Sequence, residues 1–141
     1  MITLLYLIRR RPDLTPEAFR TAALAAQAHT AQAVRNILGA TEHSLAFEAC
    51  AKRSHCMAMT RRLGGERPDA VIELTWPSLA VFDAHMGTPA ALRALEDIID
   101  AERSWVDFRH SATLLVEKED IAPKPPKTTR HSKAELLDEA I

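Results

Sequence analysis

Glu73 is the carboxylate whose setting most readily supports chemistry. Between Ala70 and Trp76 an alternating strand would place Ala70, Ile72, Leu74 and Trp76 on one face and Val71, Glu73 and Thr75 on the other. If the first set meets the helices, Glu73 points away from them into an enclosed space. Desolvation there would raise its pKa and suit it to proton transfer; the competing role is an ion pair with an arginine near the end of the first strand. His29 is the second candidate. On a helical wheel it lies about 80° from the centre of an apolar stripe, so its ring reaches either a cavity at the sheet's edge or solvent. In a cavity it would act as acid or base near neutral pH. Thr75 sets a hydroxyl beside Glu73. Tyr6, Trp76, Trp105 and Phe108 are the aromatics suited to line a substrate pocket, with ordinary core or interface packing as the alternative.

Other chemistries find little support. His43, Cys50, His55 and Cys56 fit no established zinc spacing, and adjacent His55 and Cys56 on an extended segment would point opposite ways, so no metal site is expected. Cys56 has no accompanying base or oxyanion motif. Lys52, Arg53, Arg61, Arg62 and Arg67 read as a solvated loop face more readily than as a guide for an anionic ligand. The chain lacks a Gly-rich phosphate loop, a nucleotide fingerprint and a Ser-centred elbow. No flavin, nicotinamide or haem is therefore expected, and any oxidation would draw on the substrate's own reactivity or a separate partner.

Lysine and arginine number 18 against 19 aspartates and glutamates, a balance that argues against nucleic acid or an anionic membrane as partner. With only 2 cysteines, an apolar run that precedes the arginines of the first 11 residues, and no membrane-length apolar stretch, the expectation is a soluble protein of a reducing cytoplasm.

The elements that must position these residues follow from local pattern. Ile2 to Ile8 is a strand apolar on both faces, closed by Arg9-Arg10-Arg11-Pro12. Thr15 caps a helix with Pro16 at its first position, running to Leu38 with a stripe of Phe19, Ala23, Ala26, Thr30, Val34 and Ile37. Gly39 ends it. A second strand spans roughly His43 to Ala49, and Cys50 to Arg67 fits either a loop or a short helix. Ala70 to Trp76 is the third strand, stopped by Pro77. Ser78 caps a short helix, and a further helix after Pro89 aligns Leu92, Leu95 and Ile99, ending near Asp107. Ser111 to Val116 is a fourth strand, again apolar on both faces. A Pro/Lys-rich tail, residues 122–141, carries a short candidate helix from Ser132 to Ala140.

The order β-α-β-β-α-β is the split βαβ or ferredoxin-like plan, an α+β fold with an antiparallel sheet in one domain over residues 1–121. Helices in a domain this small cover one sheet face. The other face must meet a second subunit or a ligand, which predicts a homodimer joined through sheet faces around an internal cavity, a dimeric α/β barrel.

Three segments, Leu5 to Phe19, Pro68 to Leu79 and Leu114 to Ile121, together resemble the EthD domain family of dimeric α/β barrels, whose wider superfamily holds cofactor-independent monooxygenases and lyases. The resemblance spans Met1 to about Ile121. It implies a hydrophobic small metabolite as ligand and cofactor-independent oxidoreductase- or lyase-type chemistry in an oxidative or polyketide-like pathway. Members usually carry an aromatic pair, a histidine and a proline in the first helix; here that stretch reads Leu24-Ala25-Ala26-Gln27-Ala28-His29-Thr30-Ala31, without the aromatics or the proline. Glu73 and His29 are the expected catalytic pair, with Tyr6, Thr75, Trp76 and Trp105 at the substrate. The alternatives are a non-catalytic ligand-binding or stress-response dimer and a purely structural one.

Overall fold

The computed structural model describes residues 1–123, 125 and 126, so the candidate helix from Ser132 to Ala140 lies outside the described residues. Along the described chain run β1 (Ile2–Ile8), α1 (Pro16–Asn36), β2 (Glu42–Phe47), α2 (Ala51–Thr60), β3 (Ala70–Trp76), α3 (Leu79–Met86), α4 (Pro89–Glu102) and β4 (Ala112–Glu117). The strands form one antiparallel sheet in the order β2-β3-β1-β4, the ferredoxin-like arrangement expected from the element sequence. Among the described residues, no helix is long and apolar enough to cross a membrane.

Local chemistry sets the helix starts. The side-chain oxygens of Thr15, Ser78 and Thr88 accept from the backbone N–H groups of Ala18, Val81 and Ala91 at 3.1, 3.2 and 3.1 Å. Each satisfies a donor that the first helical turn leaves without a partner. The segment left open between loop and helix forms α2, which buries none of its residues.

Pairing register then sorts the side chains. Leu4 stands opposite Leu74, and Tyr6 opposite Ile72. His43 and Leu45 stand opposite Leu74 and Ile72 from the other side of β3. These residues, with Ile8, Phe47, Ala70 and Trp76, make the sheet face that packs under α1, α3 and α4. Trp76 and Trp105 are the largest fully buried side chains. The Trp76 indole N–H donates to the Leu38 carbonyl at 2.8 Å, and Phe82 meets its ring edge-on with centroids 4.8 Å apart.

Two helical stripes differ from the sequence expectation. In α1 the buried residues are Phe19, Ala23, Thr30 and Val34, but Ile37 is 37% exposed and Leu38 takes its place at 1%. The helix stops at Asn36, and Gly39, at φ +75°, turns the chain so that Leu38 faces inward. A Cβ on Gly39 would lie 2.5 Å from the His85 ring, so glycine is required twice over. In α4 the inward residues are Ala91, Ala94, Leu95, Ile98 and Glu102, while Leu92 and Ile99 are 59% and 42% exposed. Small alanines let the helix lie close to its neighbours, which rotates the larger side chains outward. The helix also ends at Glu102, five residues short of Asp107, because Trp105 and Val106 donate their backbone N–H groups to the Glu102 carbonyl and turn the chain.

The opposite sheet face carries Leu5, Leu7, Val71, Glu73, Ala112, Leu114 and Val116. Leu114 is 58% exposed. At one end of this face Thr3 and Thr75 are buried and share a hydrogen bond of 3.1 Å between their hydroxyls.

Candidate functional site

A cavity of about 410 Å³ lies between the sheet and the helices. Its floor is Leu4, Ile72 and Leu74; α1 and α4 form the roof, and the chain around Phe108 and Ser111 to Thr113 flanks its mouth beside the edge strand β4. Most of the wall is apolar, and the polar groups collect in two places.

The first is a pair from β1 and α4. The Tyr6 phenol donates to Glu102 Oε2 at 3.0 Å. Strand alternation puts Tyr6 on the helix face with Leu4 and Ile8, and the turn after Glu102 holds that carboxylate at the end of α4 above the sheet. Glu102 is 6% exposed. Burial pushes its pKa above the usual carboxylate value, and the Tyr6 hydrogen bond offsets only part of that. Burial and the neighbouring carboxylate both raise the Tyr6 phenol, so Tyr6 keeps its proton at all ordinary pH. The pair therefore combines a fixed donor with a carboxyl group able to exchange a proton nearer neutrality than an ordinary glutamate.

The second polar place joins β2 and α1. His43 Nε2 lies 2.6 Å from Gln27 Oε1. An amide oxygen can only accept, so the imidazole carries its hydrogen on Nε2 and leaves the Nδ1 lone pair available. Burial lowers the His43 pKa, which keeps the ring neutral at pH 7. By register His43 sits two strands and two residues from Tyr6, about 12 Å between Cα atoms. Thr30, between them on α1, spends its hydroxyl on the Ala26 carbonyl at 3.0 Å.

Of the six residues expected at the site, the structure brings only Tyr6 to this cavity. Glu73 points away from the helices as strand parity requires, but the cavity is on the helix side. The Glu73 carboxylate lies 3.6 Å from Lys118 Nζ with 40% of its side chain exposed, an ion pair with a lysine where an arginine was the expected partner. Thr75 shares that face and is occupied by Thr3. His29 is exposed on α1, where its position beside the apolar stripe turns it outward. Trp76 is core, and Trp105 packs on Phe19 with centroids 5.7 Å apart and its indole N–H unpartnered among the described residues. Among these residues no group of three or more histidine, cysteine or acidic side chains is placed to hold a metal ion.

Glu102 and Gln27 were not singled out by the sequence, and His43 was weighed only as a metal ligand, although a signal for a cavity role existed for Glu102 and His43. Glu102 continues the helical spacing of Leu95 and Ile98, a charge on an otherwise apolar stripe. His43 shares strand parity with Leu45 and Phe47.

The buried carboxylate has a consequence for stability. Between the ordinary glutamate pKa and its own higher value, folded Glu102 keeps a proton that the unfolded chain has released. The stability it contributes is complete below the ordinary value and is lost as pH rises through the folded one. Urea unfolding of wild type and Glu102→Gln across this range should show the wild type losing stability relative to the variant as pH rises. A difference independent of pH would contradict the assignment.

No protein-family model matches the chain, and no curated protein matches it. Solved structures do. A hydroxynitrile lyase from Passiflora edulis has a TM-score of 0.55 at 14% identity, over 86% of this chain and 96% of its own. An EthD family protein from Bacillus halodurans has a TM-score of 0.52 at 13% identity, over 84% and 100%. A dimeric protein of ferredoxin-like fold from Bacteroides fragilis has a TM-score of 0.52 at 10% identity, over 83% and 95%. At such identities the likeness establishes the ferredoxin-like α+β fold.

Proposed function

We propose that this protein is an EthD-type, cofactor-independent enzyme that moves a proton on a hydrophobic small molecule held between its sheet and helices. The observation that carries this reading is the Tyr6–Glu102 pair, a buried carboxyl of raised pKa beside a fixed hydroxyl donor in an otherwise apolar cavity. Ionised Glu102 takes the proton through the oxygen not engaged by Tyr6, while the Tyr6 O–H steadies the carboxylate. His43 Nδ1 accepts a hydrogen bond from a ligand hydroxyl at the far end, or serves as a second base. That a hydroxynitrile lyase and an EthD protein are built on the same fold supports lyase- or oxidoreductase-type chemistry here. Glu73 and His29 have no role in this reading, since neither reaches the cavity.

Proton transfer can be read without knowing the natural substrate. Acetonaphthone has an apolar body of suitable size and an acidic methyl beside its carbonyl. In deuterium oxide the carboxylate removes a methyl proton, leaving an enolate, and returns a deuteron acquired from solvent. Exchange followed by proton NMR should run well above the buffer rate. Binding of the ketone with exchange no faster than in buffer would instead favour a ligand-binding protein, the reading that the cavity's mostly apolar wall also permits.

The face bearing Leu5, Leu7, Val71, Leu114 and Val116 supports a homodimer through sheet faces, as does the dimeric Bacteroides fragilis neighbour. Leu114→Asp would place a charge at its most exposed leucine and should convert a dimer to a monomer in analytical ultracentrifugation. A monomeric wild type would refute the assembly. The two free thiols, Cys50 and Cys56, suit a cytoplasmic location.

A further inference from the structure

We infer that the cavity selects uncharged ligands and rejects organic anions, a selectivity that rests on the cavity being the ligand site. Its lining holds three titratable groups, Tyr6, His43 and Glu102, and among the described residues no lysine or arginine. Tyr6 stays neutral, and His43 is held neutral by burial, so neither supplies a positive charge. Glu102 is neutral or negative.

The helix ends offer an anion nothing better. Helix N-termini would present free N–H groups, but α1 meets the cavity through Gln27, Thr30 and Val34 in its C-terminal half, and α4 from its middle, at Leu95, to its C-terminal end at Glu102. The dipole at those ends favours cations. The guanidinium of Arg103, 6.0 Å from the Phe108 ring at the mouth, is 66% exposed and already paired with Asp100 at 3.2 Å. Water screens what remains of its charge. A carboxylate ligand would thus lose its hydration, find no cation and face Glu102.

A neutral ligand meets none of these costs and finds matching groups. A carbonyl or hydroxyl can join the Tyr6–Glu102 pair, and a hydroxyl at the other end can donate to His43 Nδ1 across the apolar floor of Leu4, Ile72 and Leu74. The favoured class is therefore a neutral, largely apolar carbonyl or hydroxyl compound long enough to reach both polar places.

The test compares three naphthyl probes of similar size: acetonaphthone, naphthoate and naphthylmethylammonium. Affinities for the full chain are measured at neutral pH by ligand-detected NMR titration. Acetonaphthone should bind at least about 10-fold more tightly than naphthoate, and Glu102→Gln should narrow that gap by tightening naphthoate. Naphthoate binding as tightly as the ketone, or a ratio unmoved by Glu102→Gln, would overturn the inference. So would acetonaphthone binding that survives both Ile98→Trp and Thr113→Trp, because the ligand would then lie outside the cavity. Selective binding without deuterium exchange would defeat the catalytic reading and leave the selectivity standing.

Discussion

Replacing Glu102 with glutamine is expected to slow deuterium exchange at acetonaphthone about 100-fold, within the range that a positioned general base contributes. The substitution keeps the shape and still accepts the Tyr6 O–H at the carboxamide oxygen, so the fold and the phenol's orientation are preserved. Only the ionisable acid–base group is lost. The pH profile supplies a second readout. Ionised Glu102 is the active form, and burial places its titration above that of an ordinary glutamate. Exchange should therefore rise with pH through that elevated value and then level off, and this ascending limb should vanish in Glu102→Gln. Tyr6→Phe should shift the limb further upward, because the carboxylate loses the one hydrogen bond that favours its charged form. An unchanged rate and profile in Glu102→Gln would remove Glu102 from the chemistry.

Trp76→Ala is expected to cost about 4 kcal/mol of unfolding free energy, the upper part of the range for aromatic truncation in a core. Trp76 has no exposed surface, anchors the end of β3 against Phe82, and spans to the carbonyl of Leu38 where α1 has just ended. Truncation leaves both a cavity and a buried carbonyl without its donor. Trp76→Phe fills most of the space and isolates the lost hydrogen bond, so it should cost about 1–2 kcal/mol. Urea denaturation monitored by far-ultraviolet circular dichroism distinguishes the two. Near-equal costs would mean that the hydrogen bond, not the ring, holds the α1–β2 corner. The cavity shares Leu38 and Leu74 with this region, so the alanine variant should also weaken acetonaphthone binding.

Much of the architecture was legible because local rules act over a few residues. The Thr15-Pro16 and Ser78 starts, the chain reversal at Gly39, and the strand at Ala70–Trp76 with its two sorted faces all follow from capping, φ preference and period-two alternation. Parity alone also put Glu73 on the face away from the helices. It could not say which face holds a cavity, because that depends on how closely α1 and α4 approach the sheet. The alanines at positions 91 and 94 and the glycine turn at 39 decide that spacing, and they leave an apolar gap on the helix side.

The amino-acid order by itself determined the succession of strands and packed helices, α2 excepted, the ferredoxin-like plan and the apolar character of both sheet faces, since each arises from neighbours a few positions apart. Only the tertiary structure decided that Tyr6 meets Glu102, 96 positions along the chain, and that His43 meets Gln27. Those pairings depend on strand register and helix rotation acting together, and a change of one residue in either would turn the same side chains into solvent or core.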